Sequence, residues 1–274
     1  MQIKVAIWYM LLVTGSLLLV INVYGLSRDI RVSEFHDDYL IFPNDQPTDF
    51  NSTLIDLIRH GDESDIEYAT RITHVVAKGL AHVDWLVYPN EKFNQLIPIW
   101  ENYFLYFMGK LSGIPEYQRY HFANYRRSLE RGIGICGDAS MVMSQLLNEQ
   151  NIFNKILTFP GHVVVAATFE NGKQYILDAD YGVVIPYPLN EFATSSREIA
   201  KLYSEAGYPL RDFVLFQRIY KENYNQWDGV GHFITNKYYF EKFAYWLKWP
   251  LPILMLLFSF ISLVKIKRKN NYTY

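Results

Sequence analysis

The sequence predicts an α+β domain carried between two membrane helices. Three observations point there. The densest apolar runs lie at opposite ends of the 274-residue chain, the first half of the intervening stretch has helical spacing, and the second half changes to short β-branched and aromatic runs around a turn. About half of the residues are hydrophobic and the formal charge is −2, enough apolar content for one sizeable core. The middle of the chain has no Lys/Arg stripe, so it offers nucleic acid no electrostatic footprint.

The first apolar run, from Val5 to about Leu26, has roughly the ~20 residues that a bilayer helix needs. It is long for a signal peptide and no small-x-small cleavage site follows, so residues 1–26 are expected to stay as an anchor. The second run covers 243–264. Lys248 is its one charge, placed where its stem can reach the headgroups, and Tyr245, Trp246 and Trp249 suit an interfacial belt. Lys265, Lys267, Arg268 and Lys269 follow with no acid among them, so the 265–274 tail is expected in the cytoplasm. Two spans then place both termini inside and residues 27–242 outside, as one domain with its core at about 115–190.

Within that domain Ser64 opens a stretch with Ile66, Ala69, Thr73, Val76 and Leu80 on one stripe, which predicts an amphipathic helix. Further helices are expected over 98–110 and 115–131. The runs Val163 to Phe169 and Gln174 to Leu177 flank Glu170-Asn171-Gly172-Lys173, a hairpin signal. Helices return at about 190–205 and 210–223.

The chemistry-bearing residues gather where the period changes. Cys136 is the only cysteine, so no disulfide partner exists within the chain. A lone cysteine is ordinarily a small buried apolar residue. Here Ala139, Val142, Met143, Leu146 and Leu147 predict a helix that begins at or just after it. A helix N-terminus favours thiolate over thiol and presents N–H groups to an oxyanion. Asp138 complements the dipole and reads as structural, while Met141 and Met143 read as packing. Gly132, Gly134 and Gly137 spell G-x-G-x-x-G, but a charged helical segment precedes them and no acid stands about 20 residues on, so a dinucleotide site is excluded.

Of seven histidines, His36, His60, His74, His82, His121 and His232 stand alone, in no metal-ligand spacing. His162 differs, because it opens the first strand of the hairpin and the second strand returns Asp178 and Asp180 to the same end. Register decides whether either acid reaches it. A two-residue turn pairs Val165 with Asp178 and turns the acid to the opposite face; a three-residue loop with Gly172 left-handed pairs Val164 with Asp178 and puts both acids on the face of His162. The orienting acid is then Asp178 or Asp180.

The segments GICGDASMVMSQLL and GHVVVAATFENGKQYILDADYG resemble the core of the transglutaminase-like superfamily of papain-type thiol enzymes, over about Arg131 to Pro186. By position Cys136 matches the nucleophile, His162 the base and Asp178 the orienting acid. The resemblance implies a papain-like fold and a thiol attack on an amide or ester carbonyl, completed by water (peptidase or amidase) or by an amine (acyltransferase). It implies a second oxyanion donor upstream, for which Gln118 and Asn124 are the candidates. No cofactor or metal is expected, since a metal hydrolase would lack ligands here. One departure is the segment Lys173 to Leu177, which lacks the Trp often found before the Asp. Expected partners are peptide or protein amides, including cell-envelope components, and the membrane. The expected location is a bacterial inner membrane with the domain in the periplasm. The competing expectation is a non-catalytic binding or assembly module of an envelope or polysaccharide pathway, since a fold does not fix a function.

Overall fold

In the computed structural model the described residues are 2–32, 35–42, 45–85, 87–170 and 172–271. In chain order the helices are α1 (Gln2–Gly25), α2 (Phe50–Asp56), α3 (Asp65–Gly79), α4 (Tyr103–Leu111), α5 (Pro115–Gln118), α6 (Tyr125–Arg131) and α7 (Cys136–Glu149). Then come β1 (Phe153–Phe159), β2 (His162–Thr168), β3 (Gln174–Asp178) and β4 (Val183–Ile185), followed by α8 (Ser196–Glu205), α9 (Leu210–Ile219), β5 (Asn225–Trp227), α10 (Val230–Phe233), α11 (Thr235–Leu247) and α12 (Pro250–Asn271). The class is α+β. Two compact units form, one from 31–89 and 121–238, the other from 1–30, 90–120 and 239–274. The 90–120 stretch therefore belongs with the terminal helices and not with the domain that surrounds it in sequence.

The larger unit is built on an antiparallel sheet of order β4-β3-β2-β1-β5. Alternate residues of each strand feed two cores, as a period of two requires. Ile156, Val165 and Leu177 pack with Ile72 and Val76 of α3 and Val142 and Leu146 of α7, while Leu157, Val164 and Ile176 pack with Ile199 and Tyr203 of α8 and Phe216 of α9. Helix α3 starts where its sequence signal lies: Ser64 Oγ accepts from Glu67 N while Glu67 Oε2 accepts from Ser64 N at 2.9 Å, a capping box.

The β2–β3 register is the three-residue one. Val165 pairs with Leu177 and Thr168 with Gln174, which continued by one residue sets Asp178 opposite Val164. The loop closes with Phe169 N donating to Lys173 O at 2.9 Å, and Gly172 has φ +75°, a left-handed conformation that a side chain would strain. Asn171 lies outside the described residues.

The helix expected over 115–131 is two helices. Asn124 Oδ1 accepts from Arg126 N and Arg127 N and starts α6 afresh, while Tyr120 and Phe122 are buried in the intervening segment. Gly132, φ +74°, ends α6, and the Arg31 guanidinium covers its last carbonyls by donating to Leu129 O and Glu130 O. Helices α4 and α8 begin later than expected, at Tyr103 and Ser196, and α9 ends earlier, at Ile219.

In the other unit α1 packs against α12, with Gly15 admitting Met255 and Pro252 so closely that a Cβ would lie 3.0 Å from Met255 Cβ. Segments Ile3–Gly25 and Pro250–Arg268 are long and apolar enough to cross a membrane, and only 11% of each is buried, unlike the core helix of a soluble protein. The second apolar helix thus begins at Pro250, seven residues after the expected start at Phe243, because residues 243–247 close α11. Lys248 does not snorkel. It is buried in the break between α11 and α12, its Nζ donating to Glu101 O at 2.6 Å, while its own carbonyl accepts from Asn22 Nδ2 at 2.6 Å and Tyr103 Oη at 3.1 Å.

Candidate thiol site

Cys136 is the first residue of α7, as its downstream periodicity predicts, and its side chain is half-buried. The helix start is secured from within. Asp138 Oδ2 reaches back to accept from Ile135 N at 3.0 Å and pairs with His121 Nδ1 at 2.6 Å. Burial opposes the Asp138 charge, but His121, Arg131 and the Ile135 N–H outweigh it and hold the carboxyl below its usual range. Ahead of the helix, Ala81 N donates to Gly132 O at 2.9 Å and Gly134 N to Ala81 O at 3.2 Å, a short parallel bridge that brings the 81–83 segment beside the approach to Cys136. A Cβ on Gly134 would lie 3.0 Å from Asp138 Cβ, so this glycine permits a close approach; a Cβ on Gly137 would meet open space.

His162 opens β2 with its imidazole 5% exposed, and its Nε2 hydrogen-bonds Asp178 Oδ2 at 2.7 Å. Asp178, at the end of β3, is fully buried and saturated: Oδ1 accepts from the backbone N–H groups of Asp180 (3.1 Å) and Tyr181 (3.2 Å), and Oδ2 also accepts from Tyr203 Oη at 2.6 Å. Tyr203 Oη lies 2.5 Å from Tyr220 Oη. Burial and the Asp178 charge push the Tyr203 phenol well above its usual range, so it stays a neutral donor. The imidazole is enclosed by the edges of Tyr181 and Phe216, at centroid distances of 5.7 and 5.0 Å.

Cys136 Sγ, a ring nitrogen of His162 and a carboxylate oxygen of Asp180 lie within 4.8 Å of one another. Nε2 being taken by Asp178, Nδ1 is the nitrogen left for the sulfur. Burial disfavours the His162 cation, but the Asp178 charge and hydrogen bond, reinforced by a hydrogen bond and charge interaction with Cys136, raise its pKa well above the ordinary value. A buried carboxylate, an imidazole and a sulfur in series can hold a proton on the ring and leave the sulfur as a nucleophile.

The two candidate acids have separate partners. Asp178 binds His162, whereas Asp180 Oδ1 takes His82 Nε2 at 2.8 Å. His82 Nδ1 in turn reaches Asp45 Oδ2 at 2.8 Å, and the same oxygen accepts from His82 N at 2.6 Å. Burial works against the His82 cation, yet the two flanking carboxylates raise its pKa to about 10. His82 and His121, which sequence spacing leaves isolated, are thus both tied to acids that flank Cys136 in sequence or in space. No local pattern marks them, because their partners stand 98 and 17 residues away. Of the expected oxyanion donors, Asn124 caps α6 through its side-chain oxygen and Gln118 closes α5. A cavity of about 410 Å³ lined by Leu54, Tyr68, Tyr125 and Glu149 shares no residue with this cluster.

No family model, no curated protein and no solved structure matches the chain.

Proposed function

We propose that this chain is a membrane-anchored thiol enzyme of the cell envelope that acts on amide bonds, with Cys136 as nucleophile, His162 as acid and base, and Asp178 as the orienting acid. The observation that carries the reading is the placement of one imidazole between a sulfur and a buried, fully hydrogen-bonded carboxylate. The likeness of 131–186 to the transglutaminase-like superfamily supports it.

In this reading the sulfur attacks the carbonyl carbon, a C–S bond forms, and the oxyanion sits at the N-terminus of α7, where Gly137 leaves room for substrate. His162 Nδ1 gives its proton to the leaving amine as the C–N bond breaks. Water or a second amine then attacks the thioester, returning a proton to Nδ1 and the electron pair to sulfur. Asp178 keeps the Nε2 proton in place throughout and so fixes which nitrogen faces the thiol. The basic run after Val264 supports a cytoplasmic 265–274 tail and a thiol on the outer, periplasmic side of a bacterial inner membrane.

The test is acyl-enzyme formation by the full-length chain in detergent micelles. With p-nitrophenyl acetate as acyl donor, intact-mass analysis is expected to show one acetyl group, mapped to Cys136, that is absent from Cys136→Ala and strongly slowed in His162→Ala. A thiol that acetylates at the same rate with and without His162 would overturn the reading and leave a non-catalytic envelope module.

A further inference from the structure

We propose that Cys136, His162 and Asp180 form a reversible zinc site that switches the thiol off. The ligand set is a sulfur, an imidazole and a carboxylate, which suits Zn²⁺ and disfavours the all-oxygen preferences of Ca²⁺ and Mg²⁺. Three different parts of the fold deliver it: the start of α7, the start of β2, and the residues just past β3. Ligand bonds of about 2.0 to 2.3 Å separate tetrahedral donors by roughly 3.3 to 3.7 Å. The three donor atoms, already within 4.8 Å of one another, need to close by about 1 Å.

Supporting contacts around the three donors favour the metal as well. A metal-binding imidazole characteristically gives its second nitrogen to a carboxylate, and a ligating carboxylate is itself hydrogen-bonded. His162 Nε2 is held by Asp178 at 2.7 Å, which leaves Nδ1 for the ion. Asp180 Oδ1 is held by His82 at 2.8 Å, and His82 is anchored on its far side by Asp45. This second arm has no part in the thiol mechanism, yet it is what aims a carboxylate at the sulfur. The carboxylates of Asp45, Asp178 and Asp180, together with the sulfur, outnumber the imidazoles of His82 and His162, so the cluster can accept a dication. Three protein ligands leave the fourth position of a tetrahedral ion to a water.

Binding is a proton exchange without redox change. Zn²⁺ displaces the proton shared by Cys136 and His162, which passes to solvent, and the sulfur and Nδ1 lone pairs become metal bonds. A sulfur lone pair committed to zinc cannot attack a carbonyl. The switching consequence rests on the thiol-enzyme reading; the binding itself does not.

The experiment titrates reduced, metal-free full-length chain in detergent with Co²⁺ as the optical stand-in. One equivalent is expected to give visible bands of a four-coordinate centre and a sulfur-to-cobalt charge-transfer band, both displaced by Zn²⁺. Cys136→Ser is expected to remove the charge-transfer band. Asp180→Asn is expected to weaken Zn²⁺ binding by about 10- to 100-fold, and His82→Gln, which spares every ligand, by about 10-fold. If Asp180→Asn does not fold, His82→Gln carries the comparison. Absence of the charge-transfer band at a large excess of Co²⁺, or Zn²⁺ affinity unchanged in both variants, overturns the proposal. Acetylation by p-nitrophenyl acetate, run without metal, is read separately. A chain that binds zinc but never acylates sinks the enzyme reading alone, and one that acylates but binds no metal sinks this proposal alone.

Discussion

Replacing Asp178 by Asn tests the buried pair at its most sensitive point. The carboxylate accepts four hydrogen bonds, two on each oxygen. The Asn amide has one oxygen, and the two backbone N–H groups of Asp180 and Tyr181 can face nothing else, so its NH₂ must turn toward His162 and Tyr203. Tyr203 adapts by donating to Tyr220 and accepting from the amide. His162 Nε2 adapts only by giving up its proton, which moves the ring proton to Nδ1, the nitrogen that should take the thiol proton. The variant should therefore lose the base, and removing one partner of a buried charged pair should cost about 3–5 kcal/mol of stability. His162→Ala should cost somewhat less, because Asp178 keeps three of its four donors, and the double variant should fall well short of the sum, with a coupling of about 2–3 kcal/mol. Urea unfolding of the full-length chain in micelles, with acetylation rates measured in parallel, gives the cycle. Stabilities that add to within about 0.5 kcal/mol would mean that the two side chains do not act as a pair, and the mechanism would fall with them.

Three more outcomes are expected. His82 has a folded pKa of about 10 against an ordinary 6.5, so its pairing with Asp45 and Asp180 is fully stabilising below about pH 6.5 and is lost as pH rises through 10. Alkaline thermal melts should show that loss, on the order of a few kcal/mol, and His82→Gln should flatten the profile over this window. Lys248→Met should lower stability by about 1.5–3 kcal/mol, the worth of a charged hydrogen bond to the Glu101 carbonyl; an unchanged melt in micelles would return Lys248 to a snorkelling role. Cys136, as the only cysteine, reports topology directly: a membrane-impermeant maleimide should label it in intact cells or spheroplasts, and labelling only after lysis would invert the orientation.

Local chemistry was readable where local contacts decide the structure. The Ser64 capping box, the helix from Cys136 and the Gly172 loop each depend on residues within a few positions, and from the last of these the register that joins His162 to Asp178 follows. Strand β1 has no clear sequence signal, because its Asn154 and Lys155 break the apolar pattern; Asn154 is buried by bonding Ser144 Oγ at 2.7 Å and Asn148 Oδ1 at 2.8 Å. Strand β5 has only Asn225, Gln226 and Trp227 and exists through its pairing with β1. The apolar 243–264 run hid a helix break at Lys248, since hydropathy cannot distinguish a charge that reaches water from one satisfied by a carbonyl. His82 carries no local signal, because its partners Asp45 and Asp180 are connected to it by no periodicity.

The bridge from Asp45 through His82 to Asp180 also bears on how the chain matures. Everything that would react, from Cys136 to Asp180, lies in one stretch of the 121–238 segment, while the bridge comes from 31–89, made earlier and separated from it by the 90–120 segment that belongs to the other unit. Closing so long a loop is slow relative to forming the β2–β3 hairpin. Any chain in which 31–89 has not docked keeps His162 beside its sulfur but leaves Asp180 without its His82 partner. The finished site is thus a report on assembly, since Asp180 gains its imidazole partner only when the two ends of the larger unit have met.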